Sequence, residues 1–312
     1  MLDTLLPELQ ACIFRYLKPR DMKNLALCDK AHHAAMKPFV FNNVNVSWKR
    51  LQVKEALDGM DLECFQYTET LQFNDCTTPV DQQKNRQIIT TNFERLLHFT
   101  DPIVLFLYSC HVTDSMFTVI ASMSNLVKLS MISGTTCDRD VEVICKHLKQ
   151  LTKLKIDGSR QVTDVGLQNI SNLSVLEELK VGGSSITGDG LEFISSLKYL
   201  RKLDVGFCVN LRLDGFRHLV GLPLVELRIP GIAPSQDWSL LHYVASIKSL
   251  LYLDVGLNPI SDHVSHLAGL QRLHTLDVTG CGIGDDGVKF IVATLKSLKK
   301  LNLSTYCMTL SR

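Results

Sequence analysis

Leu151-Thr152-Lys153-Leu154-Lys155-Ile156 has apolar residues at its first, fourth and sixth positions, and this L-x-x-L-x-I phrase recurs along the chain. Clear copies begin at Leu126, Leu151, Leu176, Leu200, Leu224, Leu250, Leu273 and Leu298, and weaker copies at Thr68 and Pro102. From Pro102 onwards the starts lie 23 to 26 residues apart, by subtraction of their residue numbers. The alternation of apolar and polar residues predicts a half-buried strand. Because one such unit cannot bury its own apolar face, we expect the units to stack on one another.

A turn and a helical pattern follow each strand phrase. In residues 151–175, Gly158 and Ser159 turn the chain, and Thr163 is a predicted helix N-cap with Asp164 in the first helical turn. The apolar residues that follow have helical spacing: Leu167, Ile170 and Leu173. Each unit is therefore predicted to contain one strand and one helix.

A period near 24 residues with this core resembles the leucine-rich repeat. The phrase Ile186-Thr187-Gly188-Asp189-Gly190-Leu191, which follows Ser184, is similar to the cysteine-containing subclass that is common in F-box proteins. The resemblance implies an α/β solenoid with parallel strands on the concave face and helices on the convex face. It covers about ten repeats in residues 67–312.

Four of the ten cysteines occupy one slot of the repeat, three residues after the last core residue of a strand. They are Cys76, Cys110, Cys208 and Cys281, and other repeats carry Ser159, Ser184 or Asn258 in this slot. We expect these small side chains to turn inward and bond backbone groups in the bend. Metal binding is disfavoured because one ligand per repeat does not converge on a tetrahedral site. Reduced thiols at regular positions favour a cytoplasmic or nuclear protein.

Composition and motif content argue against several other functions. The net charge of +1 gives no global field for nucleic acid or an acidic membrane. The chain carries no signal-peptide pattern, no apolar run long enough for a bilayer, and no G-x-S-x-G, H-E-x-x-H or P-loop motif. We therefore expect a protein that is not an enzyme and that uses no metal and no cofactor. The strand phrase at Leu301–Leu303 precedes only nine residues, so we expect the tail, a partner or another copy to cover its edge.

The N-terminal segment has a different pattern. Pro7 stands near the start of a predicted helix whose apolar face contains Leu9, Ile13 and Leu17. A second amphipathic helix is predicted to begin at Asp21. Helices this short bury too little surface to be stable alone, so they need the solenoid or a partner.

This segment resembles the F-box, with matches that run from Leu6-Pro7-Glu8-Leu9 to Asp21-Met22 and Leu25. The tryptophan that the family carries later is missing here, where Ala31 or His32 stands. The resemblance implies docking to a Skp-type adaptor, and through it to a cullin. The implied adaptor-binding residues are Leu6, Pro7, Leu9, Ile13, Phe14, Leu17, Met22 and Leu25. The domain prediction is an adaptor-binding segment at 1–46, a linking helical segment at 47–66, and the repeats.

The outward side chains of the predicted strands form the expected target-binding surface. Its early repeats are mostly basic and its later repeats are acidic, which favours a protein target with oppositely charged ends. An alternative is that these charges only keep the strand face soluble. The predicted target-binding residues are Phe106, Tyr108, Lys153, Lys155, Lys180, Asp204, Arg228, Tyr252, Asp254 and Asp277.

These patterns lead to the hypothesis of a substrate-recognition subunit of a cullin-RING ubiquitin ligase. In this hypothesis the N-terminal segment docks the adaptor and the repeats bind the target protein. Two alternatives remain open at this stage. One is an interaction scaffold outside any ligase, with the N-terminal helices as a cap, and the other is a pathogen effector that resembles a host F-box protein.

Overall fold

The structure is a computed structural model that describes residues 43–47, 68–74, 91–93, 95, 102–108, 112–132, 134–232, 238 and 241–304. Contacts divide the chain into two units, Met1–Leu126 and Val127–Arg312. Each unit is described separately below. The predicted adaptor-binding residues at positions 6–25, and the proline-containing segment at 233–237, lie outside the described residues.

Among the described residues of the first unit there are three parallel strands in the order β1, β2, β3. They are β1 (Asn43–Ser47), β2 (Thr70–Asn74) and β3 (Val104–Tyr108). Strand β1 pairs with β2 and β2 with β3 in register. Helix α1 (Asp114–Ala121) follows, and the Thr113 hydroxyl accepts a hydrogen bond from its first turn. Strand β1 has no counterpart among the ten sequence phrases, and it lies across the predicted boundary at residue 46.

In the described part of the second unit there are eight parallel strands, each paired with the next one along the chain. They are β4 (Lys128–Ile132), β5 (Lys153–Lys155), β6 (Glu178–Lys180), β7 (Lys202–Asp204), β8 (Glu226–Arg228), β9 (Tyr252–Asp254), β10 (Thr275–Asp277) and β11 (Lys300–Asn302). Equivalent positions of successive repeats pair directly, as Leu154 does with Leu179. The register follows the sequence phrase, because a slip by one residue would turn the leucines outward.

Helices connect these strands, and their length varies from repeat to repeat. The α-helices of the second unit are α2 (Asp138–His147), α3 (Asp164–Ile170), α4 (Leu191–Ile194), α5 (Leu241–Ala245) and α6 (Asp285–Thr294). Two repeats have 3₁₀ helices instead, at Leu213–Leu219 and Ser261–Gly269. Thr163 caps α3 as predicted, since its hydroxyl accepts a hydrogen bond from Val165 N. Thr187 does not cap a helix, because α4 begins later, after Gly190.

Thr163 and Thr187 each donate two hydrogen bonds to an aspartate of the preceding repeat, which the helix-capping prediction did not include. Asp164 accepts hydrogen bonds from Thr187 N at 2.8 Å and from Thr187 Oγ1 at 2.6 Å. One repeat earlier, Asp138 accepts the equivalent two hydrogen bonds, from Thr163 N and from Thr163 Oγ1. The Thr-Asp phrase therefore joins neighbouring repeats, in addition to marking where a helix begins.

The leucine spine forms the core between the strands and the helices. The central leucine of each strand from β5 to β10 has at most 1% of its surface exposed. These residues are Leu154, Leu179, Leu203, Leu227, Leu253 and Leu276. Each such side chain contributes about 1.5–3 kcal/mol relative to an exposed one. The predicted fold class, a leucine-rich-repeat solenoid with strands on one face and helices on the other, is confirmed. No helix among the described residues has the length and apolar character needed to cross a membrane.

Candidate binding site

The strand face of the second unit is the surface formed by the first and third side chains of β4 to β11, which point away from the core. In its early repeats the basic side chains already have acidic partners. Glu178 lies between two lysines, with its oxygens 3.2 Å from Lys153 Nζ and 2.9 Å from Lys155 Nζ. Burial opposes ionisation of Glu178, but the two lysines outweigh it and lower the pKa of its carboxyl group. Lys153 and Lys155 are therefore largely neutralised within the face.

The middle of the strand face holds a second ion network around Arg228. The Arg228 guanidinium donates a hydrogen bond to Glu226 at 2.8 Å and lies 4.6 Å from the centre of the Tyr252 ring. Lys202 pairs with the other oxygen of Glu226 at 3.1 Å. Burial works against ionisation of Glu226, yet its bonds to Arg228 and Lys202 lower the pKa of the carboxyl. The positive charge of Arg228 is thus committed to a carboxylate and an aromatic ring of its own chain.

Aspartates end strands β7, β9 and β10, and each receives a backbone N–H from two residues further on. The bonds run from Gly206 N to Asp204 at 3.2 Å, from Gly256 N to Asp254 at 2.9 Å, and from Thr279 N to Asp277 at 2.9 Å. Each Oδ1 atom therefore holds the bend after its strand. The second carboxyl oxygen of each residue remains for other partners.

These second oxygens differ in their surroundings. Asp277 Oδ2 accepts a hydrogen bond from Asn302 at 2.7 Å, and Asp204 Oδ2 lies 3.9 Å from Lys180. Asp254 Oδ2 has no hydrogen-bond partner among the described residues. Burial, together with the nearby charge of Asp277, raises the pKa of Asp254, although the Gly256 N–H acts in the opposite direction. A carboxylate here is held in an unfavourable environment that a cation would relieve.

Asp157 adds a further carboxylate in the bend after β5. It accepts a hydrogen bond from Gly182 N of the next repeat at 3.1 Å. Burial and the charge of Asp204 raise its pKa. Asp157 therefore extends the row of carboxylates beyond the residues predicted from the sequence.

The turns that follow the strands share one backbone conformation with positive φ. Five of them carry glycine: Gly134, Gly158, Gly183, Gly231 and Gly280. The other two carry Phe207 with φ 57° and Leu257 with φ 59°. Both side chains are large, apolar and exposed, at 55% and 45% respectively. Bulky residues in this conformation are strained by about 1–3 kcal/mol.

Hydrogen bonds across the repeats hold these turns in place. Phe207 N donates to the carbonyl of Pro230, and Leu257 N donates to that of Thr279, both at 2.7 Å. The glycine turns make the equivalent bond, as Gly183 N does to the carbonyl of Gly206. The surrounding array therefore imposes the strained conformation, whichever residue occupies the turn.

The aspartates and the two apolar turns border a single groove of about 670 Å³ in the second unit. Its lining includes Asp157, Asp204, Phe207, Arg228, Pro230, Asp254, Leu257, Asp277 and Thr279. Four carboxylates and one guanidinium thus line the groove, and the guanidinium is paired with Glu226 outside that lining. The groove is acidic on its floor, with an apolar residue in each of two turns.

The predicted inward bonding of the cysteine slot is confirmed at Cys208, Cys281 and Asn258 but not at Ser159, whose buried hydroxyl has no hydrogen-bond partner among the described residues. Cys76 and Cys110 lie outside the described residues. Cys208 Sγ lies 3.4 Å from the carbonyl of Val181, and Cys281 Sγ lies 3.1 Å from that of Val255. Asn258 donates to two backbone carbonyls at 2.8 Å. Burial raises the pKa of Cys281 to about 11, so its thiol is neutral at physiological pH. Within the described ranges no three His, Cys, Asp or Glu residues are grouped as metal ligands.

Four of the ten predicted target-binding residues lie together at the groove: Asp204, Arg228, Asp254 and Asp277. Lys153, Lys155, Lys180 and Tyr252 lie on the strand face and interact with charged residues of the same face. Phe106 and Tyr108 belong to the first unit, where their rings stack 5.7 Å apart and are half-buried, although the sequence suggested free aromatics.

Sequence reasoning missed Phe207, Leu257 and Asp157. The signal for the first two was partly available. In the six repeats that begin at Leu151 to Leu273, the second residue after the last core residue is Gly158, Gly183, Gly231 or Gly280 in four, and Phe207 or Leu257 in the other two.

A profile of the leucine-rich-repeat family matches residues 270–292. Among solved structures, an internalin (inlF) from Listeria monocytogenes is 17% identical with a TM-score of 0.52, covering 78% of this chain and 63% of its own. A second internalin (inlC2) from that organism is 20% identical with a TM-score of 0.46, covering 68% and 84%. A leucine-rich-repeat protein from Leptospira interrogans is 12% identical with a TM-score of 0.42, covering 76% and 62%. No curated protein sequence is significantly similar to the chain.

The repeats, the profile match and the first of these structural likenesses together show a leucine-rich-repeat fold. The chain spans less than two thirds of the inlF internalin, and the likeness concerns the fold. Solenoids of stacked repeats present extended surfaces that suit protein–protein interaction. The groove and the strand face are the part of that surface with specific chemistry.

Proposed function

We propose that this protein is a non-catalytic recognition subunit that binds a target protein on the strand face of its second unit. The observation that carries the proposal is the groove bordered by Phe207 and Leu257. Exposed apolar side chains held in strained turns give the fold little stability, and large apolar residues beside polar groups are typical of protein-binding surfaces.

The proposal extends to the complex in which this recognition takes place. The resemblance of Leu6 to Leu25 to the F-box supports docking of the N-terminal segment to a Skp-type adaptor of a cullin-RING ubiquitin ligase. The apolar positions Leu9, Ile13 and Leu17 would then pack against adaptor helices. In that arrangement the protein acts by bringing a bound target close to the ligase, and it performs no chemistry itself.

The test of the ligase role is co-purification of the full chain with a Skp-type adaptor. We expect a stoichiometric complex for the wild type and its loss in a Leu6→Ala/Pro7→Ala double variant. Gln10→Ala/Arg15→Ala is the matched control, since it alters the same segment at positions outside the F-box pattern. Thermal unfolding of all three proteins separates docking from stability.

Absence of the complex with well-folded wild-type protein would reject the ligase role and leave the interaction scaffold. Equal loss of the complex in both double variants would also count against it, because the F-box pattern would then have no special role. A lower melting temperature in Leu6→Ala/Pro7→Ala alone, with the adaptor still bound, would identify the segment as a cap for the repeats.

A further inference from the structure

We infer that the groove selects a basic segment of the target, in which a pair of Lys or Arg residues is flanked by large apolar residues. This inference rests on the proposed recognition function and specifies the chemistry of the partner. It also narrows the expectation from the sequence, which was a target with an acidic end and a basic end.

The charge of the groove favours a cationic partner. Asp204, Asp254 and Asp277 end strands β7, β9 and β10, and Asp254 Oδ2 has no hydrogen-bond partner among the described residues. Arg228, the cation in the groove lining, is already paired with Glu226 at 2.8 Å. A Lys or Arg side chain from a partner would supply the missing charge and the missing donor. Charge-assisted hydrogen bonds of this kind are about twice as strong as neutral ones.

The early part of the strand face does not offer the opposite charge to a partner. Lys153 and Lys155 are both within 3.2 Å of Glu178, whose side chain is nearly buried. An acidic segment would have to displace these internal pairs before it could bind. The groove itself, by contrast, is lined by four carboxylates and one guanidinium, so its charge is acidic.

The two apolar turns set the spacing of the partner's flanking residues. Phe207 and Leu257 follow β7 and β9, which are separated by one strand. Because neighbouring strands lie about 4.8 Å apart, the two side chains are about 10 Å apart along the groove. Three residues of a polyproline-type chain advance about 9.3 Å and return to the same side. Two apolar residues at positions i and i+3, with the basic pair between them, fit this spacing.

The probe that tests the inference is a fluorescein-labelled octapeptide, Gly-Ser-Leu-Lys-Arg-Leu-Ser-Gly, titrated with the full chain and followed by fluorescence anisotropy. Two matched peptides change one property each: one replaces the basic pair by Glu-Glu, and the other replaces both leucines by serine. We expect the basic apolar peptide to bind at least about tenfold more tightly than either control, which corresponds to about 1.4 kcal/mol. Its affinity should fall with added salt, since ionic screening weakens the charge contacts.

Variants then place the peptide in the groove. Asp254→Asn/Asp277→Asn and Phe207→Gly/Leu257→Gly should each weaken the basic peptide about tenfold or more. The matched control, Asp285→Asn/Asp286→Asn, removes two exposed carboxylates that do not line the groove and should leave the affinity unchanged. Asparagine keeps the Oδ1 acceptor of each aspartate, so the bends after β9 and β10 remain bonded.

Other outcomes would overturn the inference. If none of the peptides binds, the groove does not recognise this chemistry. If the Glu-Glu peptide binds most tightly and Lys155→Ala/Lys180→Ala abolishes that binding, the strand face recognises proteins of the opposite charge. The proposed recognition function would then stand while the inference falls. Adaptor co-purification is independent of both results.

Discussion

The glycine turns and the two apolar turns of the second unit have the same backbone and different chemistry. Gly183 and Gly231 have φ of 71° and 55°, and Phe207, between them in the chain, has φ of 57°. Each donates its N–H to the following repeat. Folding alone favours glycine in such a turn, since glycine adopts positive φ without a steric penalty.

Comparing the glycine turns with the apolar turns separates positions that stabilise the fold from positions whose side chains are exposed for the proposed binding. The glycine turns follow the rule that a turn with positive φ carries glycine, which adopts this conformation without strain. Phe207 and Leu257 break the rule, expose about half of their side chains, and border the acidic groove. Departures from local preference concentrate at functional sites, so these two turns support the proposed binding surface.

The largest expected effect comes from adding a side chain to a glycine turn. Gly231→Val should lower the free energy of unfolding by about 2–4 kcal/mol, because valine is strained at positive φ and crowds its neighbour. A Cβ atom at this position would lie 2.8 Å from the Phe207 ring. Urea denaturation followed by circular dichroism measures the loss.

Two other glycines separate the causes of that loss. Gly221 has φ of 97° and open space around it, so Gly221→Ala reports the backbone penalty alone. Gly284 has neither a positive φ nor a neighbour within 4 Å, so Gly284→Ala should be close to neutral. Equal losses for Gly231→Val and Gly221→Ala would show that crowding by Phe207 is unimportant.

Replacing the apolar turn residues by glycine should have a smaller effect on stability. Phe207→Gly relieves strain but loses some apolar contact and makes the unfolded chain more flexible, so stability should stay within about 1 kcal/mol of the wild type. Leu257→Gly should behave alike. Chemical denaturation of both variants, with the wild type alongside, checks this expectation. A loss above about 2 kcal/mol would assign these side chains to the core and remove the main argument for the binding site.

The regular parts of the molecule were accessible from the sequence because local pattern determines them. The spacing of Leu154, Leu179 and Leu203 predicts the strands, their parallel order and their register, since only one register buries every leucine. Cys208 and Asn258 follow the slot rule for the same reason, as each must satisfy carbonyl groups inside a bend.

The proposed binding site could be predicted from the sequence only in part, because its properties depend on contacts between repeats. The sequence shows Lys155 as a free positive charge, whereas stacking places it 2.9 Å from Glu178. The sequence from Asp254 to Leu257 shows nothing unusual until it is aligned with the other repeats, several of which carry glycine at the position of Leu257. Strand β1 carries Val44 and Val46 at the positions that pair with Leu71 and Phe73, so a search for leucines misses it although the apolar alternation is present.

The ion pairs of the strand face should contribute less to the free energy of unfolding than the glycine turns do. Glu178→Gln is expected to lower stability at pH 7 by about 0.5–1 kcal/mol, discounted for the partial exposure of its two lysine partners. The lowered pKa of Glu178 means that its contribution exists above the unfolded pKa and is lost as the pH falls through the folded value. Denaturation at several pH values measures both effects.

Asp286→Asn provides the comparison for that experiment. Asp286 pairs with Lys289 at 2.9 Å, but both side chains are fully in solvent, so no measurable change is expected. A stability change in Asp286→Asn as large as that in Glu178→Gln would mean that burial between repeats does not set the strength of these pairs.

The smallest expected effect is a gain in stability from a groove aspartate. The pKa of Asp254 is raised by burial and by Asp277, so the folded protein holds its proton to higher pH than the unfolded chain does. Stability from this group is therefore present at acidic pH and lost as the pH rises through the folded pKa. Asp254→Asn removes the charge, keeps the bond from Gly256 N, and should raise the melting temperature slightly at pH 7.

Asp277→Asn should do the opposite, which makes the pair of variants decisive for the groove. Burial also opposes ionisation of Asp277, but bonds from Thr279 and Asn302 lower its pKa, so its charge stabilises the fold at pH 7. Scanning calorimetry on both variants compares them directly. A stabilising Asp254→Asn that also weakens the basic peptide would show that the groove keeps this charge for binding at the expense of the fold. A destabilising Asp254→Asn would assign the carboxylate a structural role and leave Phe207 and Leu257 as the remaining support for the site.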